Sequence, residues 1–198
     1  MAIYKDHGKR GLDIALSLTM MPVLAVTLAG VGIAIKLDDG GPVFFKGERR
    51  GQFGKPFKMY KFRSMKVDAE DIRNADKSTF SSKDDPRVTR VGKILRKTSL
   101  DEIPQVLNVL RGEMSFIGPR PNMATTPYED LPDLEKARLL VKPGITGLSQ
   151  ALVRNSAPAQ QRYSIDKDYV DRVSLMFDLW IVGKTVEQLL FKRNINAN

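Results

Sequence analysis

The chain has no cysteine and a single histidine, His7, in 198 residues. Without cysteine there is no disulfide framework, no thiolate nucleophile and no Cys-type zinc site. With one histidine, near the N-terminus, His-based metal centres and Ser-His triads drop out as well. Nucleophilic and acid–base chemistry is left to carboxylates, lysines and hydroxyls. Internal repeats and low-complexity tracts are also absent, and the length suits one domain with a real core.

What the chain holds instead is positive charge. Lys and Arg number 32 against 23 Asp and Glu, a net +9 at neutral pH. Such an excess calls for a polyanionic partner: nucleic acid, an anionic membrane surface or a phosphorylated substrate. No zinc-finger, RNP-type or basic-zipper pattern occurs and the basic residues are dispersed, so the expectation is no nucleic acid.

From Ile14 to Ile35, 22 residues carry no charge. As a straight helix they measure about 33 Å, enough for a hydrocarbon core of roughly 30 Å. A cleaved signal peptide is disfavoured, because the run is too long and lacks a convincing cleavage site. A single crossing and a re-entrant hairpin remain. Pro22 lies inside the run, where it removes a helix hydrogen bond. Lys5, Lys9 and Arg10 precede the run; Lys36, Lys46, Arg49 and Arg50 follow it. The positive-inside tendency draws both flanks to one side, which one crossing cannot satisfy. Membrane helices tolerate proline, so the residues alone leave the two topologies balanced.

Soluble structure begins at Gly40-Gly41-Pro42. Val43–Phe45 and Phe57–Arg63 flank a Gly- and Pro-bearing turn and predict a β-hairpin. Period two puts Phe57, Met59, Lys61 and Arg63 on one face. Lys61 and Arg63 then either present two cations side by side or make a charged, protected strand edge. Residues 66–85 are polar and aperiodic, which predicts a loop, and Val91–Leu95 begins a short apolar element. The segment from Lys142 to Gln150 reads as a Gly-punctuated turn. From Leu175 to Arg193 a long helix carries Leu175, Leu179, Val182, Val186, Leu189 and Leu190 on one face, widened by Phe177, Trp180 and Ile181. Either that face is buried in its own domain, or it lies in a membrane interface with Lys184, Lys192 and Arg193 toward headgroups. Its width also leaves room for a homodimer.

Arg96 to Pro121 is the chemically dense stretch. Ile103, Val106, Leu107 and Leu110 follow helical spacing, and Gly112 is a stop. Asp101 and Glu102 fall in the first turn; Ser99 and Glu102 have capping-box spacing, but Pro104 fits better if the cap lies nearer Asp101. First-turn acids ordinarily just complement the helix dipole, by about 0.3–1 kcal/mol. Here Arg87, Arg90, Lys93, Arg96 and Lys97 crowd the preceding segment, and Arg120 sits in a rigid Gly118-Pro119-Arg120-Pro121 turn. Arginine's fork suits phosphate oxygens, and a carboxylate serves as a magnesium ligand or as an attacking nucleophile. The residues point to phosphoryl transfer at a membrane surface.

Four blocks occur in order: Lys61-Phe62-Arg63-Ser64-Met65, Ser99-Leu100-Asp101-Glu102-Ile103-Pro104-Gln105, Met114-Ser115-Phe116-Ile117-Gly118-Pro119-Arg120-Pro121 and Lys142-Pro143-Gly144-Ile145-Thr146-Gly147. Together they resemble the bacterial sugar transferases, the monotopic polyprenyl-phosphate phosphoglycosyl transferases. The length is similar to the small single-domain form typified by PglC, and the likeness runs from Lys9 to Val186. The resemblance implies a ping-pong reaction. Asp101 matches the nucleophile that attacks the sugar-proximal phosphate of a UDP-sugar and expels UMP. Polyprenyl (undecaprenyl) phosphate then takes the phosphosugar from the aspartate. Glu102 matches the dyad partner, and Mg2+ is the implied cofactor, bound at Asp101. Lys61, Arg63 and Arg120 in these blocks, with Arg96, Gln150 and Arg154 beside them, are the substrate contacts the resemblance implies. Asp166 and Asp178 stand where small members carry supporting acids.

The resemblance also implies a fold and a location. The fold is α+β and predominantly helical, with an N-terminal re-entrant membrane helix-break-helix hairpin over residues 1–39, Pro22 at its break. A small β-hairpin and interfacial amphipathic helices surround a compact catalytic core, within a cytoplasmic membrane-associated domain over residues 40–198. The location is the cytoplasmic face of the bacterial inner membrane, as a monotopic protein in contact with phospholipid. Two departures stand out: Met21 replaces the serine usual beside the break, and Val153 replaces a glycine before Arg154. Ser17 and Thr19 are alternative hydroxyls near the break. A competing expectation is a non-catalytic membrane-surface adaptor on the same scaffold.

Overall fold

The computed structural model describes residues 4–70, 72, 85–153 and 157–191. Arg154, Lys192, Arg193 and most of the expected loop over residues 66–85 lie outside the described residues. Helices dominate, as expected. A short turn at Tyr4–Gly8 leads into α1 (Lys9–Asp39), followed by β1 (Phe44–Arg50), β2 (Pro56–Phe62) and α2 (Arg90–Thr98). A 3₁₀ turn (Leu100–Gln105) runs into α3 (Val106–Arg111), then β3 (Ser115–Ile117), α4 (Asp133–Arg138), β4 (Gly144–Thr146), α5 (Leu148–Leu152), α6 (Ala159–Arg172) and α7 (Leu175–Phe191). Two small sheets complete it: β1 with β2, and β3 with β4 in parallel.

Helix α1 has 31 residues, so it is about 46 Å long at 1.5 Å per residue, and it is continuous through Pro22. It is long and apolar enough to cross a membrane, and only 17% of its most apolar window is buried. Leu16, Leu18, Val26 and Ile33 are exposed along it. The Thr19 hydroxyl donates to the Ala15 carbonyl at 2.9 Å, one turn back on its own helix, while Ser17 is fully buried.

The described residues fall into two compact units. The first draws on Met1–Met20, Gly47–Met59 and Gln105–Ala197. Its larger core gathers Ile117, Val141, Leu148, Tyr169, Val170 and Ile181. A second cluster joins Phe57 and Met59 to Val109 and Met114. Strands β3 and β4 pair Ser115 with Gly144 and Ile117 with Thr146. The segment expected to be only a turn is therefore part strand; three residues are too few to show a period of two. Backbones meet closely here: a Cβ on Gly147 would lie 2.0 Å from the Gly118 carbonyl oxygen.

The start of the chain belongs to this core. Arg10 donates through Nη1 and Nη2 to the carbonyls of Val109 and Leu110 at 2.6 and 2.8 Å, satisfying the end of α3. Asp13, buried, accepts from the Ser115 hydroxyl and the Phe116 N–H, each at 3.0 Å. Asp178, also buried, accepts from Tyr4 at 2.6 Å, Lys9 at 2.5 Å and Tyr169 at 2.9 Å. Burial and this carboxylate push both tyrosines' pKa values up.

Helix α7 reverses one of the two readings of its pattern. The predicted apolar face is exposed: Leu175, Leu179, Val182, Val186, Leu189 and Leu190 all lie outside the core. What faces inward is Asp178, Ile181 at 0% exposure, Thr185 bonded to Thr146, and Gln188 donating to the Ala151 carbonyl. The helix docks by a mixed, partly polar stripe and leaves its wide apolar side uncovered.

The second unit draws on Met21–Lys46 and Tyr60–Pro104. Its core is Ile35, Phe62 and Leu95, with Val31, Val43, Phe44, Val91, Leu100 and Ile103 against it. Strand β2 buries Phe57 and Met59 at one end and Phe62 at the other, so opposite faces of the strand are covered at its two ends. Thr89 caps α2, its side chain accepting from the Gly92 N–H. Gly92 is required by contact, since a Cβ there would lie 2.0 Å from the Ser64 carbonyl oxygen.

Candidate active site

Asp101 and Glu102 occupy the 3₁₀ turn that follows α2. Ser99 ends α2 in the left-handed region, φ 58°, and its carbonyl accepts from the Glu102 N–H at 3.2 Å. The expected capping box is therefore replaced by a reversal that closes one helix and starts the next turn. A left-handed serine costs on the order of 1 kcal/mol, which the packing on either side offsets. Leu100 and Ile103 rest on the Phe62–Leu95 core, and Pro104 is fully buried. The turn is anchored on three sides, with Asp101 buried and Glu102 half-buried.

Buried positions in the following helix also shift. Val106, Asn108 and Val109 are covered, whereas Leu107 and Leu110 are half-buried. Asn108 earns its burial by donating to the Lys58 carbonyl and the Glu113 carboxylate at 2.8 and 2.6 Å.

Lys61, from β2, reaches the acids. Its Nζ lies 2.6 Å from Glu102 Oε1 and 3.9 Å from Asp101 Oδ2. The side chains keep 16% (Lys61), 13% (Asp101) and 20% (Glu102) of their surface exposed, so the cluster is sheltered yet reachable. Arg96, on α2, donates through Nε to the Ser64 hydroxyl at 3.0 Å. Burial pulls the Arg96 pKa down and the Asp101 charge pulls it back up, which couples this cation to the dyad. Gly92 and Ser64 thus place Arg96, although neither shows a signal in the sequence beyond its residue type.

Arg63 is held by the protein itself. It is buried, pairs with both oxygens of Asp39, and donates to the carbonyls of Pro42 and Met65 at 2.6 and 3.1 Å. It fastens the end of α1 to the exit of β2 rather than offering a free cation beside Lys61. Arg120 and Gln150 belong to the first unit. Arg120 is exposed, and its carbonyl accepts from Arg138; Gln150 donates to the Ile145 carbonyl at 3.1 Å. Asp166 is 1% exposed and pairs with Arg138 at 2.7 Å. Asp178 is saturated by Tyr4, Lys9 and Tyr169. Burial pushes the Asp166 pKa up against the Arg138 charge.

The donor set suits a hard cation of low protein coordination. Asp101 and Glu102 are adjacent carboxylates, and no cluster of three or more His, Asp or Glu occurs among the described residues. Magnesium takes one or two carboxylates and completes its shell with water and substrate phosphates, so two acids fit it.

The sequence from residue 4 to residue 192 matches the family model described as bacterial sugar transferase. The chain belongs to the bacterial sugar transferase family. Relatives within the family differ in extent. It is 42% identical over 188 residues to the exopolysaccharide production protein PSS of Rhizobium leguminosarum bv. phaseoli, covering 90% of this chain and 92% of that one. It is 40% identical over 185 residues to UDP-glucose:undecaprenyl-phosphate glucose-1-phosphate transferase of Escherichia coli K12, covering 90% of this chain and 39% of that one. It is 39% identical over 189 residues to UDP-N-acetylgalactosamine-undecaprenyl-phosphate N-acetylgalactosaminephosphotransferase of Aeromonas hydrophila, covering 92% of this chain and 43% of that one. The chain thus spans about two-fifths of the length of the latter two relatives. Similar sequences carry names with different sugars.

Proposed function

We propose that this chain transfers a sugar 1-phosphate from a UDP-sugar to polyprenyl phosphate, releasing UMP. The observation that carries the reading is the Lys61–Glu102–Asp101 cluster, two reachable acids under one lysine. It sits in a chain of this family whose relatives bear sugar-phosphate transferase names. In the first step an Asp101 carboxylate oxygen bonds to the sugar-proximal phosphorus, and the bond from that phosphorus to the oxygen of UMP breaks. In the second, an oxygen of polyprenyl phosphate bonds to the same phosphorus, and the bond to Asp101 breaks, restoring the carboxylate. Lys61 offers its charge to the incoming phosphates. Glu102 orients Lys61 and the acceptor phosphate. Arg96 and Arg120 contact diphosphate oxygens, and Gln150 and Arg154 serve the nucleotide or sugar. Asp101, with Glu102 beside it, would hold Mg2+, which supplies charge neutralisation at the phosphates when bound.

The membrane part of the proposal is that α1, helical on both sides of Pro22, bends there in the bilayer, so that it enters and leaves on the cytoplasmic face of the inner membrane. Basic flanks at both ends of the apolar run support it, as does the uncovered apolar side of α7. Because the chain lacks cysteine, a single cysteine at Lys5 or at Lys46 can be labelled uniquely. Both should react from the same side, and opposite-side labelling would overturn the hairpin. For the activity, purified protein with Mg2+, undecaprenyl phosphate and a broad panel of UDP-sugars should release UMP. Silence across the panel would end this reading.

A further inference from the structure

The Gly118-Pro119-Arg120-Pro121 turn has an anchoring problem that its sequence creates. Prolines at 119 and 121 carry no N–H, so Arg120 has no backbone donor on either side of it, and the nearest one used is Gly118, which donates to the Thr146 carbonyl at 2.9 Å. Carbonyls do the rest of the holding. The Pro119 carbonyl accepts from the Gly144 N–H at 3.0 Å. The Arg120 carbonyl accepts from Nη2 of Arg138 at 2.6 Å. Arg138 is 3% exposed, at the end of α4, and is itself fixed on two more sides. Its Nε and Nη2 meet Asp166 Oδ2 at 2.9 and 2.7 Å, and its guanidinium lies 4.7 Å from the centre of the Tyr163 ring. The Tyr163 hydroxyl accepts from Asn122 at 2.7 Å, next to the turn on the other side. A planar fork that is paired, stacked and aimed at one carbonyl is a geometry lysine cannot reproduce.

We propose that Arg138 is a positioning residue: locked by Asp166 and Tyr163, it fixes the backbone at Arg120 and so the reach of that side chain toward substrate phosphate. The inference rests on the reading of Arg120 as a diphosphate contact. Asp166, which sequence reasoning grouped with supporting acids, acts two residues away from substrate in this arrangement, through Arg138 and then Arg120.

The test is a double-mutant cycle on UMP release, with the purified full chain and saturating undecaprenyl phosphate. Arg138→Lys should raise KM for the UDP-sugar about tenfold with a smaller change in kcat, and should change KM by less than about twofold in an Arg120→Ala background. The same factor in both backgrounds, or an unchanged KM in wild type, would overturn the proposal. If Arg138→Lys does not fold, Tyr163→Leu, which keeps the ion pair and removes the ring, should show the same non-additivity at smaller amplitude; additivity there would overturn it equally. An Arg120→Ala chain with wild-type kinetics would remove Arg120 from the site and this proposal with it, while leaving the Asp101 reading intact. Loss of UMP release from the wild-type chain itself would instead count against the proposed activity.

Discussion

Four acids stand out in the sequence, and the structure treats them as two kinds. Asp101 and Glu102 lie on a short turn with 13% and 20% of their side-chain surface exposed, and Lys61 reaches both. Asp166 and Asp178 are 1% and 4% exposed and are held by an arginine in one case and by two tyrosines and a lysine in the other. Asp178 has its oxygens taken up by fixed donors, and Asp166 keeps Oδ2 on Arg138 with Oδ1 buried, so both are shut away from a substrate. Asp101 and Glu102 share Lys61 and keep part of their side chains accessible, so a metal or a phosphate can reach them. Reactivity here is a matter of replaceable partners, and acidity alone does not confer it.

The sharpest way to break that contrast is Asp101→Asn. UMP release should fall by about a thousandfold or more, and mass spectrometry of wild type without acceptor should find a phosphosugar adduct that the variant lacks. An adduct persisting on the variant would move the nucleophile elsewhere. Next in size, Asp178→Ala should destabilise the fold by about 3–5 kcal/mol in chemical denaturation, because it strands Lys9 and two tyrosine hydroxyls in the interior. If it unfolded no more easily than wild type yet lost activity, Asp178 would belong with the dyad. Lys61→Ala should lower kcat/KM roughly tenfold to a hundredfold, with Lys61→Arg partly active and the melting temperature little changed. An unaffected rate would reduce Lys61 to a surface ion pair.

The smallest effect concerns acid. Arg87 hydrogen-bonded to Asp85 lowers the folded pKa of that carboxylate. The unfolded chain therefore takes up the proton first: the stabilisation is complete above the ordinary carboxylate pKa of about 4 and fades as pH falls through the lower folded value. Asp166 runs the other way, since burial raises its folded pKa and protonation on acidification relieves the cost. Denaturation midpoints at pH 6 and pH 3 should show Asp85→Asn flattening the acid loss and Asp166→Asn steepening it. Equal slopes would mean that the two pairs do not differ in this respect.

Much of this was legible beforehand. The hairpin at β1–β2, the long apolar helix and the acid pair follow from composition and spacing, whereas nothing in spacing alone joins Lys61 to the acids. The rest was hidden for identifiable reasons. The 3₁₀ turn moved burial from Leu107 to Asn108, and side-chain hydrogen bonds such as those of Asn108 have no periodic signature. Arg63 looked like Lys61 until Asp39, 24 residues away, was seen to occupy both its nitrogens. Arg138 gave no hint, because its partners Arg120 and Asp166 are 18 and 28 residues distant along the chain. In α7 an apolar stripe predicts only that something apolar will cover it, and the pattern cannot say whether that is protein or lipid.

The contacts made by the first residues of α1 bear on how such a protein can be handled. Tyr4, Lys9, Arg10 and Asp13 are structural members of the first unit. A water-soluble fragment obtained by trimming everything up to the end of the apolar run would leave the α3 carbonyls and the β3 amide without these partners and strip Asp178 of Tyr4 and Lys9. Preparing the protein for assay or crystallisation therefore means keeping the N-terminal helix and supplying detergent or a lipid nanodisc around it. What looks in the sequence like a detachable anchor is part of the foundation.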